Sequence, residues 1–192
     1  MSGKWKSKSV LVTILSMLFL IAACGGQPAK PEKQAAEQPP DPPLTRTYQH
    51  IVVRGVTATP EIEKDYSDAL KECQANLVSA LESQNAFKSV ALAKSGKKCP
   101  AHSLLVQARV SDIHIVHGAA RFWAGAFAGS SYMNIDLKLT DAATGKVVRE
   151  KEINSSNNAW AAAWTGGSSD RTLPADMGKI TAGYIGSIMP KK

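Results

Sequence analysis

The chain has 192 residues, 44% of them hydrophobic and 20% charged, a composition that predicts one folded domain of ordinary size and excludes a largely disordered protein. The formal net charge is +7, and it falls to +4 without residues 1–23, which hold three lysines and no acidic residue. The remaining basic residues are scattered without interleaved aromatic residues, which argues against a nucleic-acid-binding protein.

Residues 1–23 have the layout of a signal peptide: three lysines come first, and the stretch from Val10 to Ala23 is then almost entirely apolar. This stretch is shorter than the roughly 20 residues that a spanning helix needs. The ending Ile-Ala-Ala-Cys at 21–24 closely resembles the lipobox of bacterial lipoproteins. The resemblance implies cleavage before Cys24 and acylation of Cys24, with palmitate or a similar chain. Gly25 at the next position resembles lipoproteins that are sent to the outer membrane. The alternative is an ordinary signal peptide with a chance cysteine.

Residues 24–46 read as the lipidated cysteine followed by a linker that contains six prolines. Such a segment cannot bury a core and favours extended polyproline II structure. We expect it to act as a stiff spacer between the membrane and a single periplasmic domain at 47–192. A weaker alternative is that the proline run is itself a recognition segment.

The first half of the domain predicts a strand over 47–56, a helix from Thr59 to about Asn85 and a short strand over 87–92. Thr59, Pro60 and Glu61 form a typical helix start. Apolar residues then recur every three or four positions from Ile62 to Leu81, which indicates one buried helical face.

Two cysteines remain once Cys24 is assigned to the lipid. In an oxidising compartment this even pair predicts a disulfide between Cys73 and Cys99. The alternative is that Cys73 is a small buried hydrophobic residue and Cys99 an exposed loop thiol.

The second half predicts a strand over 103–116, a strand over 132–140, a hairpin turn over 141–145, a strand over 146–153 and a closing helix over 173–188. The apolar parity of the first of these strands changes after Val110, which predicts a β-bulge at Ser111-Asp112. The expected fold class is α+β, in the order β-α-β-β-β-β-α. We expect a mostly antiparallel sheet of about five strands with two helices on one face.

The stretch from Leu104 to Ile188 resembles an uncharacterised family of bacterial lipoproteins, classed as domain of unknown function 4410. The most specific part is the glycine-rich Arg-Phe-Trp-Ala-Gly-Ala-Phe-Ala-Gly-Ser-Ser at 121–131, and the turn Asp-Ala-Ala-Thr-Gly-Lys-Val at 141–147 adds weaker support. The family is similar in layout to periplasmic α/β domains of outer-membrane accessory lipoproteins. The resemblance implies a fold and a location, and it brings no catalytic residues.

The sequence offers no catalytic or metal-binding constellation. His114 and His117 are three positions apart on a predicted strand, so their side chains point to opposite faces and cannot share an ion. The motifs of a nucleophile elbow, a phosphate-binding loop and a dinucleotide-binding loop do not occur. We therefore expect a protein that is not an enzyme and that has no metal or other cofactor.

Two segments rich in small residues, 117–131 and 154–170, hold all the tryptophans that follow the signal peptide. If the surrounding strands form an antiparallel meander, both segments lie at the same end of the sheet. Exposed together, they would form an apolar patch of the kind that marks an interaction surface. The alternative is that they fold back and cap the core. The residues predicted for this surface are Arg121, Phe122, Trp123, Phe127, Trp160 and Trp164.

These observations predict a membrane-anchored lipoprotein of the outer membrane, with a non-catalytic domain in the periplasm. We expect this domain to bind an unidentified envelope protein, or its own copies, through the aromatic end. One alternative is a membrane-inserting assembly or channel-type subunit, although 117–131 is too short for two spanning strands of 9–11 residues each. An envelope hydrolase is a distant alternative.

Overall fold

Five strands form one sheet in the computed structural model, which describes residues 40–94, 96, 98–116, 131–155 and 171–190. The order across the sheet is β2-β1-β3-β4-β5. The strands are β1 (His50–Thr57), β2 (Ser89–Leu92), β3 (Ser103–His114), β4 (Tyr132–Asp141) and β5 (Val147–Asn154).

The sheet is mixed, so the prediction of a mostly antiparallel sheet is wrong. Strand β1 pairs in parallel with both β2 and β3, whereas β3 with β4 and β4 with β5 are antiparallel. The physical reason is the connection between β1 and β2. A helical crossover returns the chain to the end of the sheet where it started, and two strands joined in this way run parallel.

Three helices, α1 (Pro60–Asp65), α2 (Ser67–Ser83) and α3 (Leu173–Ser187), accompany the sheet within the described ranges. The single helix predicted from Thr59 onward is therefore two, and the element order becomes β-α-α-β-β-β-β-α. The break is at Tyr66, where φ is −126°. It is local, because the Tyr66 N–H still donates to the Ile62 carbonyl and the Leu70 N–H to the Tyr66 carbonyl. The predicted cap is confirmed, since Thr59 Oγ1 accepts from the Ile62 N–H.

The core lies between one face of the sheet and the layer formed by α2 and α3. Alternate residues of β4 point into it, and each is at most 1% exposed: Met133, Ile135, Leu137 and Leu139. The helix α2 contributes a buried face that consists of Leu70, Cys73, Leu77 and Leu81, of which the last three belong to the predicted face. Burial of this apolar surface is the main force that holds the helices on the sheet.

The predicted disulfide is absent, because Cys73 and Cys99 are both free. The Cys73 side chain is 1% exposed within the helix layer, and burial raises the pKa of its thiol to about 12. Cys99 is exposed in the loop before Pro100. The two thiols are therefore in different surroundings in this structure, one within the helix layer and the other in an exposed loop.

The last residues of the proline-rich segment are packed on the domain. The Leu44 N–H donates to the Ile188 carbonyl over 2.7 Å, and the Leu44 side chain is buried. Arg149 on the edge strand β5 donates to the Pro42 carbonyl over 2.7 Å. The chain from Asp41 to Leu44 therefore lies against side chains of β5 and the end of α3.

Candidate interaction surface

One end of the sheet, which we call the bulge end, is where β3 and β5 finish and β4 begins. Beyond the last strand residues, the Val116 N–H donates to Ser131 Oγ over 2.9 Å. The Met133 N–H donates to Ser155 Oγ over 3.2 Å. The segment 117–130 joins β3 to β4 and the segment that follows Ser155 leaves β5. Both therefore depart from the bulge end, as the predicted meander required.

The residues predicted for the interaction surface are all in these two segments and lie outside the described residues. They are Arg121, Phe122, Trp123, Phe127, Trp160 and Trp164. Cys24 also lies outside them. The structure fixes the place from which the aromatic segments depart, and the side chains around that place can be described.

The predicted β-bulge is confirmed, because Val110 pairs with Ile135 and Asp112 with Asn134, which leaves Ser111 as the extra residue. The bulge returns Ile113 to the core side. It also places Asp112 on the sheet face that points away from the helices.

The same shift brings His114 directly opposite Tyr132 on that outer face. Their ring centroids are 5.8 Å apart with a tilt of 31°. Tyr132 is 37% exposed, and the negative charge of Asp112 raises the pKa of its phenol above the ordinary value. An aromatic ring, an imidazole and a carboxylate thus form an exposed rim, which can supply stacking and hydrogen bonds to another surface.

His114 has no metal-binding partners in the described part of the chain. Within the described ranges, no group of three His, Cys, Asp or Glu side chains could hold an ion. His117, the other histidine considered for a metal, lies outside those ranges.

A charged clasp fastens the chain beside β5. The Asp41 carboxylate lies 2.9 Å from the Lys151 Nζ and accepts a hydrogen bond of 2.9 Å from the Tyr184 hydroxyl. The bond from Lys151 is the main reason why the pKa of Asp41 is held below its ordinary value. Burial raises the pKa of Tyr184, so this phenol remains a donor at neutral pH. The clasp sets where the linker leaves the domain.

A second cluster joins the chain before β1 to the β4–β5 hairpin. Asp141 Oδ2 accepts from Arg46 over 2.7 Å and from the Tyr48 hydroxyl over 3.2 Å. Its other oxygen accepts from the Ala143 and Thr144 N–H groups over 2.9 Å and 3.0 Å. A cleft of about 360 Å³ lies beside it. The cluster orders the turn and the chain before β1, which is a structural role.

Sequence reasoning missed the rim pair, the clasp and the Asp141 cluster. A signal for the clasp was present in β5, where Arg149 and Lys151 share one parity while Glu150 and Glu152 share the other. Arg149 and Lys151 have the same parity as the buried Ile153, so their side chains lie on the helix side of the sheet. A charge that is partly buried there needs an acidic partner. The clasp supplies that partner.

A family model described as a domain of unknown function (DUF4410) matches residues 30–163. No curated protein matches the sequence. Among the described residues, no helix has the length and apolar character needed to cross a bilayer.

Solved structures with a similar fold include the PelC dodecamer from Paraburkholderia phytofirmans, at 13% identity and a TM-score of 0.47 over 79% of this chain and 96% of that one. Protein XCC0632 from Xanthomonas campestris is similar at 13% identity and 0.44, over 78% and 86%. Lipoprotein GNA1162 from Neisseria meningitidis is similar at 10% identity and 0.35, over 58% and 82%.

Proposed function

The chain belongs to the DUF4410 family, and from this premise we propose that it is a lipid-anchored lipoprotein of the bacterial envelope whose domain binds another protein, or its own copies, through the bulge end. The role is binding rather than catalysis. The anchor is the acylated Cys24, and the outer membrane is the proposed location.

One observation carries the proposal: both aromatic segments depart from the same end of one sheet. The segments depart from Val116, Ser131 and Ser155. Hydrogen bonds join Val116 to Ser131, and Ser155 to Met133 at the start of β4. Five aromatic residues follow these points within two short stretches. Aromatic side chains dominate the energetics of protein interfaces, and the exposed Tyr132 extends the aromatic character onto the rim.

The anchor predicts the outcome of a Cys24→Ser substitution. The hydroxyl cannot replace the thiol as the lipid acceptor, so the variant should incorporate no labelled fatty acid and should accumulate as an uncleaved precursor. Metabolic labelling of cells with a radioactive fatty acid measures this directly, with Cys99→Ser as the matched control. Full labelling of the Cys24 variant would contradict the proposed anchor.

The bulge end predicts a site-specific crosslink. A photoreactive phenylalanine analogue replaces Tyr132 in the full chain, and illumination of living cells should give an adduct of fixed mass with a protein. Val147 is the matched control, because it is 38% exposed against 37% for Tyr132 and lies at the opposite end of the sheet. We expect no adduct from position 147.

Three outcomes decide the proposal. A protein adduct from position 132 alone supports a partner or a second copy at the bulge end, and its mass distinguishes the two. An adduct with lipid alone would overturn the proposal in favour of membrane insertion. Equal adducts from positions 132 and 147 would show that the bulge end has no special role.

A further inference from the structure

The sheet face that points away from the helices, here called the outer face, carries charges of both signs. Alternation along β1, β3, β4 and β5 places three basic and four acidic side chains on it, and each is exposed. They are Arg54, Arg109, Lys138, Asp112, Asp136, Glu150 and Glu152. Asp112 belongs to the rim at the bulge end, beyond the other six.

The strand register arranges the six charges other than Asp112 in two rows across the sheet. In the first row, Arg109 on β3 pairs with Asp136 on β4, which pairs with Glu152 on β5. In the second row, Lys138 on β4 pairs with Glu150 on β5. Arg54 lies in the register shift of β1 between Val53 and Val56. This part of β1 is beside the position of β3 that pairs with Lys138, so Arg54 belongs to the second row.

The first row is unfavourable for an isolated domain. Asp136 and Glu152 are directly opposite each other, and like charges in that position destabilise a sheet. Within the described ranges, Arg109, Asp136 and Glu152 form no ion pair. In the second row, by contrast, Lys138 Nζ lies 3.0 Å from Glu150 Oε1. A basic group that approaches from outside would relieve the repulsion in the first row.

We propose that the outer face binds the outer face of a second copy of this chain. The β1–β3 half of the face presents arginines, and the β4–β5 half presents most of the carboxylates. A two-fold axis parallel to the strands and placed between β3 and β4 puts the β1–β3 half of each copy against the β4–β5 half of the other. Each row then faces the same row of the second copy. Arg109 then faces Asp136 of the second copy, and Arg54 faces Glu150 of the second copy.

The alternative two-fold axis, which runs across the strands, lays arginines on arginines. The charge layout therefore selects one arrangement of the two sheets. In this arrangement β2 lies outside the overlap, and the four overlapping strands, about 4.8 Å apart and about eight residues long, present roughly 500 Å² per copy. The total of about 1,000 Å² is the lower limit of specific interfaces. The rim of the bulge end lies at one end of this same face, whereas the two charge rows lie farther along the strands, and the proposal does not depend on the function proposed above.

The test is a charge exchange between two copies of the full-length chain that carry different C-terminal tags and are produced in the same cells. The acid-faced variant is Arg54→Glu with Arg109→Glu, and the base-faced variant is Asp136→Arg with Glu150→Arg. Each variant puts like charges opposite each other at all four contacts when it meets itself. When the two variants meet each other, all four contacts again join opposite charges.

We expect wild-type copies to co-purify from mild detergent and each variant to lose self-association about tenfold or more, since like charges across an interface are strongly disfavoured. Co-expression of the two variants should restore the wild-type level. Lys64→Glu with Lys71→Glu, which changes the net charge as the acid-faced variant does but on exposed helix positions, should leave association unchanged.

Recovery in the mixed pair also shows that both variants fold. The proposal is overturned if wild-type copies fail to co-purify, if either variant still self-associates normally, or if the mixed pair does not recover. Self-association that survives both variants but gives the crosslink from position 132 would place the contact between copies at the bulge end instead.

Discussion

Replacement of Gly178 by alanine is expected to lower the thermal midpoint of the domain by about 5 °C or more, which corresponds to roughly 2 kcal/mol for a domain of this size. Gly178 lies where α3 crosses α2. A methyl group there would lie 2.4 Å from the carbonyl oxygen of Cys73 and 2.8 Å from the amide nitrogen of Leu77. Both are backbone atoms of a packed helix and cannot turn aside, so the helices must separate. Thermal unfolding followed by circular dichroism measures the loss.

Gly186→Ala is the matched control, because it makes the same substitution in the same helix. Its methyl group would lie 2.5 Å from Oε1 of Gln84, the flexible end of a side chain. Rotation of Gln84 relieves the contact at the loss of one hydrogen bond to the Ala182 carbonyl. That loss is offset by the higher helix propensity of alanine, about 1 kcal/mol. We expect a midpoint close to the wild-type value. Equal losses in both variants would contradict the close backbone approach at Gly178.

Local patterns predicted the elements of this fold well because each pattern has a local physical cause. In β4, strict alternation of apolar and polar residues follows from one buried and one solvated face. The parity change after Val110 predicted the bulge, because an extra residue is the way in which a strand changes parity without leaving the sheet. Thr59 predicted the start of α1, because its hydroxyl satisfies an N–H that the helix cannot.

Strand pairing and the helix break could not be predicted in the same way. The residues of β1 do not by themselves specify whether its neighbours run parallel, since the hydrophobic pattern of a strand determines faces and not partners. The signal for β1 and β2 lay in the helix predicted between them, because a helical crossover joins strands that run parallel. At Tyr66 the apolar spacing continues across the break, because hydrogen bonds before and after it are kept. Periodicity therefore carries no signal of the break.

For the cysteine pair, the helical spacing of α2 and the even number of cysteines pointed to different outcomes. The helical spacing that places Cys73 on the buried face of α2 also points its thiol into the core. Counting cysteines in an oxidising compartment suggested a bond, whereas in this structure Cys73 is buried, Cys99 is exposed and both are free. The clasp and the Asp141 cluster were missed for another reason. Arg46 and Asp141 are 95 positions apart, and no local pattern records a contact of that range.

Asp141→Ala is expected to lower the thermal midpoint by roughly 5 °C or more, because the side chain is almost fully buried and accepts four hydrogen bonds. The substitution leaves the Tyr48 hydroxyl and two turn N–H groups without their acceptor. Asp65→Ala, at an exposed position that ends α1, is the control and should change the midpoint little. An Asp141→Ala midpoint equal to that of the control would contradict a structural role for the cluster.

Asp141→Asn removes the charge and one of the two acceptor oxygens, and the pH dependence of stability isolates the part that belongs to the charge. The N–H groups of Thr144 and Ala143 and the Tyr48 hydroxyl hold the pKa of Asp141 below its ordinary value. A carboxyl group with a lowered pKa in the folded state stabilises the protein above its unfolded pKa of about 3.9, and this contribution is lost as the pH falls through the folded value. The midpoint of the wild-type protein should therefore exceed that of Asp141→Asn at pH 7, and the difference should shrink steadily below about pH 4. Other carboxylates, including Asp41, titrate in both proteins and cancel in the difference. Thermal midpoints measured from pH 7 to pH 2 test this directly, and a difference that stays constant over the whole range would show that the negative charge of Asp141 does not stabilise the fold.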